Sequence, residues 1–244
     1  MEIKGIYYKD VLRNINMKFE PSNIYGIVGK GKTILFELIS NGLLYEKGDI
    51  IDFKNIGYFR QNVDEMFYND TVYDEIKCRV KSNNFDKKIK DSLKLIDLDI
   101  SLLYRNPNTL SSVEKRKLGL CCVLVSNPEV LLFDEPVVGF NQKEVVNFVN
   151  LIRKLKNRYK KTIIISTNDT DFLHKIVDYV YVLYEGKVVL EGSKFEVFKG
   201  IKKYRINVPN EIEFSNMVFE RKNIKLGYRD DINDLIKDIY RFVK

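Results

Sequence analysis

Two adjacent carboxylates, Asp134 and Glu135, follow the apolar run Val130-Leu131-Leu132-Phe133 and precede Pro136. Four apolar residues bounded upstream by Pro128 predict a strand buried on both faces, as in a parallel sheet. Acids at the end of such a strand are placed for chemistry. One can order a divalent cation through water while the other polarises an attacking water. Neither role has meaning without a phosphate site, and alone the pair reads first as a solvated turn. A second constellation supplies that site. In Ile24-Tyr25-Gly26-Ile27-Val28-Gly29-Lys30-Gly31-Lys32-Thr33, the residues Gly26, Gly31, Lys32 and Thr33 satisfy GxxxxGK[ST], just before the helix-forming run Ile34 to Ile39. Backbone amides of such a loop, here including Gly29 and Lys30, cradle phosphate. Lys32 would reach the outer phosphates and the Thr33 hydroxyl would ligate Mg²⁺.

The register of that loop has two readings. If Gly26 opens it, the β-branched Ile27 and Val28 lie in the loop although they suit a strand. If the strand runs to Val28, the loop contracts to Gly29-Lys30-Gly31, about three residues short of what wraps a phosphate. Another predicted strand ends at Tyr58-Phe59-Arg60-Gln61, where Gln61 could touch Mg²⁺ or the attacking water. Tyr8 could stack on an adenine ring, or simply pack within its strand.

Elements must hold these residues together. Ile3 to Tyr8 and Ile15 to Phe19 predict an N-terminal pair of strands. Residues 71 to 128 carry helical periodicity with a break at Asn106-Pro107-Asn108, which predicts an inserted helical subdomain whose last helix starts near Leu110. Val180 to Gly192 reads as a hairpin with a Glu-Gly turn. The expected architecture is α/β, a mixed sheet with antiparallel N-terminal strands. At 244 residues, 45% hydrophobic and 31% charged, the chain suits one sizeable domain with a small appendage. No apolar run approaches the ~20 residues of a membrane span. Met1-Glu2-Ile3-Lys4 lacks a signal-peptide core, so a cytosolic chain is expected. Cys78, Cys121 and Cys122 lack metal spacing and read as buried reduced thiols. The net charge of +7 could serve a nucleic acid or an anionic membrane surface, but no aromatic-interleaved basic stripe accompanies it, and Arg153 to Lys156 fits a solvated helix face.

The order of phosphate loop, Gln61 loop, Leu110-Ser111 helix start, Asp134-Glu135 and a following strand resembles an ATP-binding cassette (ABC) ATPase. The run Gln61 to Val72 is similar to the QNPDxQxFxxTV stretch of energy-coupling factor (ECF) transporter ATPases, and Val208 to Tyr240 resembles their small C-terminal domain. The resemblance implies a P-loop NTPase nucleotide-binding domain over residues 1–200 and an appended domain over 201–244. It also implies two such subunits clamping two ATP molecules, each between one chain's loop and the other's LSGGQ signature. The resemblance further implies a transmembrane coupling subunit and a substrate-binding membrane subunit, with this chain attached at the cytoplasmic face and no nucleic acid as partner. On this reading Lys32 clamps phosphate, and Thr33, Asp134 and Gln61 serve Mg²⁺. Glu135 is the general base, while Tyr8 and Ser111 contact nucleotide.

Several family residues are replaced. LSGGQ stands as Leu110-Ser111-Ser112-Val113-Glu114, in which Ser111 keeps a hydroxyl donor while Val113 and Glu114 crowd and repel phosphate. GLD stands as Gly139-Phe140-Asn141. The switch histidine is Asn168, which could still donate to a γ-phosphate oxygen, whereas His174, six residues on, reads as a packed or surface histidine. The implied function is an ATP-binding subunit of an ECF-type transporter for a vitamin or metal ion, paired with a more intact ATPase. The alternatives are a non-hydrolysing structural partner and a soluble ABC ATPase acting on nucleic acid.

Overall fold

The computed structural model describes residues 1–40, 42–80, 84–224, 226–227 and 232–242. The chain opens with β1 (Glu2–Tyr8), β2 (Leu12–Lys18), β3 (Ile24–Gly29) and α1 (Lys32–Ile39). It continues through β4 (Lys47–Ile51), β5 (Ile56–Phe59), α2 (Val72–Lys77), α3 (Phe85–Ile96), α4 (Ser112–Leu124) and β6 (Val130–Asp134). Then come α5 (Gln142–Asn157), β7 (Thr162–Ser166), α6 (Thr170–Ile176), β8 (Tyr179–Tyr184) and β9 (Lys187–Ser193). The last elements are α7 (Lys194–Gly200), α8 (Asn210–Lys222) and α9 (Ile232–Phe242).

Strand patterning decides which sheet each strand joins. In β1 and β2, Ile3, Ile6, Leu12, Ile15 and Met17 are buried and their neighbours lie nearer water, the period-two signature of a sheet covered on one face. β1 pairs antiparallel with both β2 and β4. The strands β3, β6 and β7 have no such alternation. All five residues of β6 and of β7 are buried, as a sheet covered on both sides requires. They form the centre of a six-stranded sheet in the order β5-β6-β7-β3-β8-β9, parallel except for β9.

Side chains of β6 divide between the two cores. Leu131 and Phe133 join Ile163, Ile165 and the helical layer of α2 to α6, while Val130 and Leu132 join Ile164, Ile27 and the small sheet. Each of Leu131, Leu132 and Phe133 is fully buried, worth about 1.5–3 kcal/mol apiece. The turn between β8 and β9 carries Glu185 at φ 48° and Gly186 at φ 75°, the two left-handed residues of a hairpin turn. A Cβ on Gly186 would lie 2.6 Å from the Val11 carbonyl oxygen, so the turn packs against the β1–β2 connection.

Helices α2, α3 and α4 occupy the crossover between β5 and β6. The tail is tied back where Asn210 donates from its amide and from Nδ2 to the two oxygens of Asp171, each at 2.7 Å. Ile212 of α8 is fully buried. The thiols divide unevenly: Cys121 and Cys122 are buried, but Cys78, expected inside, is exposed at the end of α2. Burial pushes the Cys121 thiol up to about 12. His174 is buried, its ring edge-on to Phe195 and Phe198.

Candidate functional site

The C-terminal ends of β5, β6, β7 and β3 open on one edge of the sheet, where parallel sheets place their ligand sites. β3 runs through Gly29, so Ile27 and Val28 are strand residues and only Gly29, Lys30 and Gly31 precede helical Lys32. Gly26 is thereby corrected: it is a buried strand residue whose Cβ would meet Val177 at 3.2 Å and Leu173 at 3.3 Å, and it cannot cradle phosphate. The β-branched residues beside it prefer the sheet, and this preference outweighs the pattern's count of positions. Gly29 takes φ 106°, and a Cβ there would lie 1.8 Å from the Leu183 carbonyl oxygen. The loop leaves the sheet through a gap that only glycine fits.

Gly31, at φ 98°, sits at the start of α1 with no side-chain cap on that helix. Its first-turn amides are therefore available to an anion. Thr33 is exposed on that turn and Lys30 is exposed in the loop. Lys32 is buried, 7% exposed, and folded inward. Its Nζ donates to Asn168 Oδ1 at 2.7 Å and lies 3.5 Å from Glu135 Oε1. Burial pulls its ammonium below the ordinary lysine range, and the Glu135 carboxylate partly opposes that pull.

Asp134 is fully buried at the end of β6. Ser166 Oγ donates to its Oδ1, while Oδ2 is buried with no hydrogen-bond partner. An unpartnered buried carboxylate oxygen is costly, and a hydrated cation held with Thr33 would satisfy it. The residues therefore fit Mg²⁺. Glu135 adopts φ 45°, a left-handed conformation costing about 1–3 kcal/mol for a non-glycine residue. Three contacts hold it there. Its amide donates to Ser166 O at 2.8 Å, its Oε2 accepts from Thr167 Oγ1 at 2.6 Å, and its carbonyl accepts from Arg116 Nη1 at 3.2 Å.

Arg116 of α4 links this site to the end of β5. Its Nη2 donates to Gln61 O at 3.4 Å and its guanidinium lies 6.0 Å from the Phe59 ring centroid. Burial lowers its pKa, opposed by Glu135. The side chain of Gln61 is exposed. Next to it, Arg60 forms a two-pronged pair with Glu37 of α1, at 2.5 and 3.2 Å. Residues 63–69 are fastened by buried Glu75, which accepts from Tyr68 N, Asn69 N and Asn69 Nδ2 at 2.7–2.9 Å and pairs with Arg79.

The structure thus gathers Gly29, Lys32, Asp134, Glu135 and Asn168, with Thr33, Lys30 and Gly31 on the adjoining loop and first turn. It holds Tyr8 and Ser111 in other contacts. Tyr8 is half-buried in the small-sheet core, with Lys9 Nζ 5.3 Å from its ring centroid. Ser111 caps α4 in a closed box: Glu114 Oε2 accepts from Ser111 N at 2.8 Å and from Ser111 Oγ at 2.7 Å. Asn141 caps α5 in the same way with Glu144. Sequence reasoning missed Ser166, Thr167 and Arg116. The first two could have been found as hydroxyls directly after the apolar run Ile163-Ile164-Ile165. Arg116, among Glu114, Lys115 and Lys117, reads as one more surface charge.

The sequence profile described as ABC transporter matches residues 12–138, just over half of the chain. A putative ABC transporter ATP-binding protein of Pyrococcus furiosus is 30% identical over 87% of this chain and 91% of its own. The energy-coupling factor transporter ATP-binding protein EcfA of Methanocaldococcus jannaschii is 26% identical over 100% and 98%. The solved structure of CbiO1 from Clostridium perfringens, part of the ABC transporter complex CbiONQ, superposes with a TM-score of 0.71 at 25% identity, covering 91% of this chain and 95% of that one. The fold, the phosphate loop beside an acidic strand end and these similarities lead to one statement: the chain belongs to the ABC transporter family as an ATPase domain, with relatives among the ECF-type ATP-binding proteins.

Proposed function

We propose that the chain is the ATP-binding subunit of an ECF-type ABC transporter. It would sit at the cytoplasmic face of the membrane, pair with a second ATPase and use ATP to drive uptake of a vitamin or metal ion through membrane partners. Relatives named as ECF ATP-binding proteins and the CbiONQ subunit support this reading. The observation that carries it is the meeting of Lys32, Glu135 and the unpartnered Asp134 Oδ2 at the sheet edge. Lys32 and the first-turn amides of α1 would bind phosphate, and Thr33, Asp134 and Gln61 would hold Mg²⁺. When bound, the ion neutralises charge on the outer phosphates. Glu135 takes a proton from the attacking water, and Thr167 and Arg116 hold it in place. Asn168, expected to donate to a γ-phosphate oxygen, instead turns its Oδ1 to Lys32 Nζ and Gly29 N. On this reading residues 1–200 form the nucleotide-binding domain and 201–244 an appended domain, whose Tyr204 to Asn207 line the cavity beside Gly29, Lys30 and Asn168.

A second reading has its own support. Closed capping at Glu114 and the three-residue link Gly29-Lys30-Gly31 favour a chain that occupies one side of the clamp and hydrolyses little or nothing. Glu135→Gln in the assembled complex separates the two. Removing a catalytic base should lower ATP turnover by about 10²–10⁴-fold. An unchanged rate would assign all hydrolysis to the partner.

A further inference from the structure

Asn168 Oδ1 accepts two hydrogen bonds, from Lys32 Nζ at 2.7 Å and from Gly29 N at 3.3 Å. Both partners are donors, so the side-chain oxygen, not the NH₂ group, must face them. An ammonium and a loop amide at a left-handed glycine are the groups that a phosphate oxygen would engage here. Glu135 Oε1 lies 3.5 Å from the same ammonium and balances its charge, and the lysine is left only 7% exposed. One amide oxygen and one carboxylate thus surround the lysine as outer phosphates would. The arrangement at α4 is parallel: Glu114 Oε2 lies against Ser111 N and Oγ, so a carboxylate already occupies that helix start.

We propose that Asn168 is an internal stand-in for phosphate, locking Lys32 and the short loop in a nucleotide-free state that Mg·ATP must displace. This rests on the reading of Lys32 as a phosphate ligand. The lock is weak by design of its chemistry. A neutral amide oxygen competes with phosphates carrying full negative charge, whose bonds to an ammonium are roughly twice as strong. It therefore sets a concentration threshold for ATP and does not bar the site. The residue type at position 168 then tunes the threshold: removing the acceptor opens the site, and a charged acceptor closes it.

The test is lysine acylation of the full-length chain without nucleotide, read residue by residue by mass spectrometry, with Mg·ATP titration of the same proteins. In Asn168→Ala, Lys32 should react several-fold faster and Mg·ATP should bind about tenfold more tightly, as expected for loss of one hydrogen bond to a charged group. In Asn168→Asp, Lys32 should react more slowly and Mg·ATP should bind more weakly. Loosening of the fold would speed Lys32 in both variants and would overturn the proposal. So would an unchanged Lys32 rate, or weaker ATP binding by Asn168→Ala, because Asn168 would then serve the phosphate directly. If Lys32 responds in opposite directions and none of the three proteins binds Mg·ATP, the lock stands and the ATP-binding reading falls.

Discussion

At Asp134 one carboxylate oxygen is matched by Ser166 and the other is not. Ser166→Ala would leave both buried oxygens without a protein partner. It should cost about 1–3 kcal/mol of stability, measured by urea unfolding, and Mg²⁺ should recover part of that loss. Glu75 makes a sharper case. Burial pushes its pKa up, but the amides of Tyr68 and Asn69, the Asn69 side chain and Arg79 outweigh burial and hold it below its ordinary value. A depressed carboxylate contributes stability above its unfolded pKa and loses it as pH falls through the folded value. Stability should therefore drop below about pH 4.5 more steeply in the native chain than in Glu75→Gln. That variant should itself be less stable by about 1–3 kcal/mol at neutral pH, since it removes the charge that the Tyr68 and Asn69 donors and half-buried Arg79 meet, while Arg79 keeps its bond to Met66 O. Lys32, Asp134 and Glu135 were legible in the sequence because their types and motif spacing are tied to phosphate chemistry. Ser166, Thr167, Arg116 and Glu75 were not, because their roles arise from burial and neighbours that no local pattern encodes.

Between β3 and α1 the loop is set by two glycines and the sheet they leave. Gly29→Ala should fail to fold or lose several kcal/mol, since its Cβ would overlap the Leu183 carbonyl and sit at φ 106°. Inserting three residues after Gly29 keeps that exit and adds amides. The entropic cost of the longer loop is under about 1 kcal/mol, so Mg·ATP affinity should rise, read by titration. At α4 the capping box stabilises the helix by about 1 kcal/mol and closes its N-terminus. The elements themselves were largely readable: the unbroken apolar runs of β6 and β7, the alternating β1 and β2, and the Glu-Gly hairpin each state their own burial. The loop register was the exception. A motif counts positions, whereas Ile27 and Val28 choose the sheet, and that moved Gly26 out of the site.

For the whole molecule, the two faces offered to a partner are unequal. The loop side keeps Lys32, Thr33, Asp134 and Glu135, whereas the α4 side presents Ser111 tied to Glu114. A homodimer would repeat the closed α4 side at both ATP sites, while a second ATPase with an open signature would complete this chain's site. Purification from native membranes should recover this chain with a second ATPase and a transmembrane protein. No helix among the described residues is long and apolar enough to cross a membrane. Whether this short-looped chain carries its own Lys32-dependent ATP site is decided by calorimetric titration of Mg·ATP into the purified chain and into Lys32→Ala. Mg·ATP should bind the native chain and bind at least tenfold more weakly once the ammonium is removed. Equal affinity in the two proteins, or no binding to either, would contradict it.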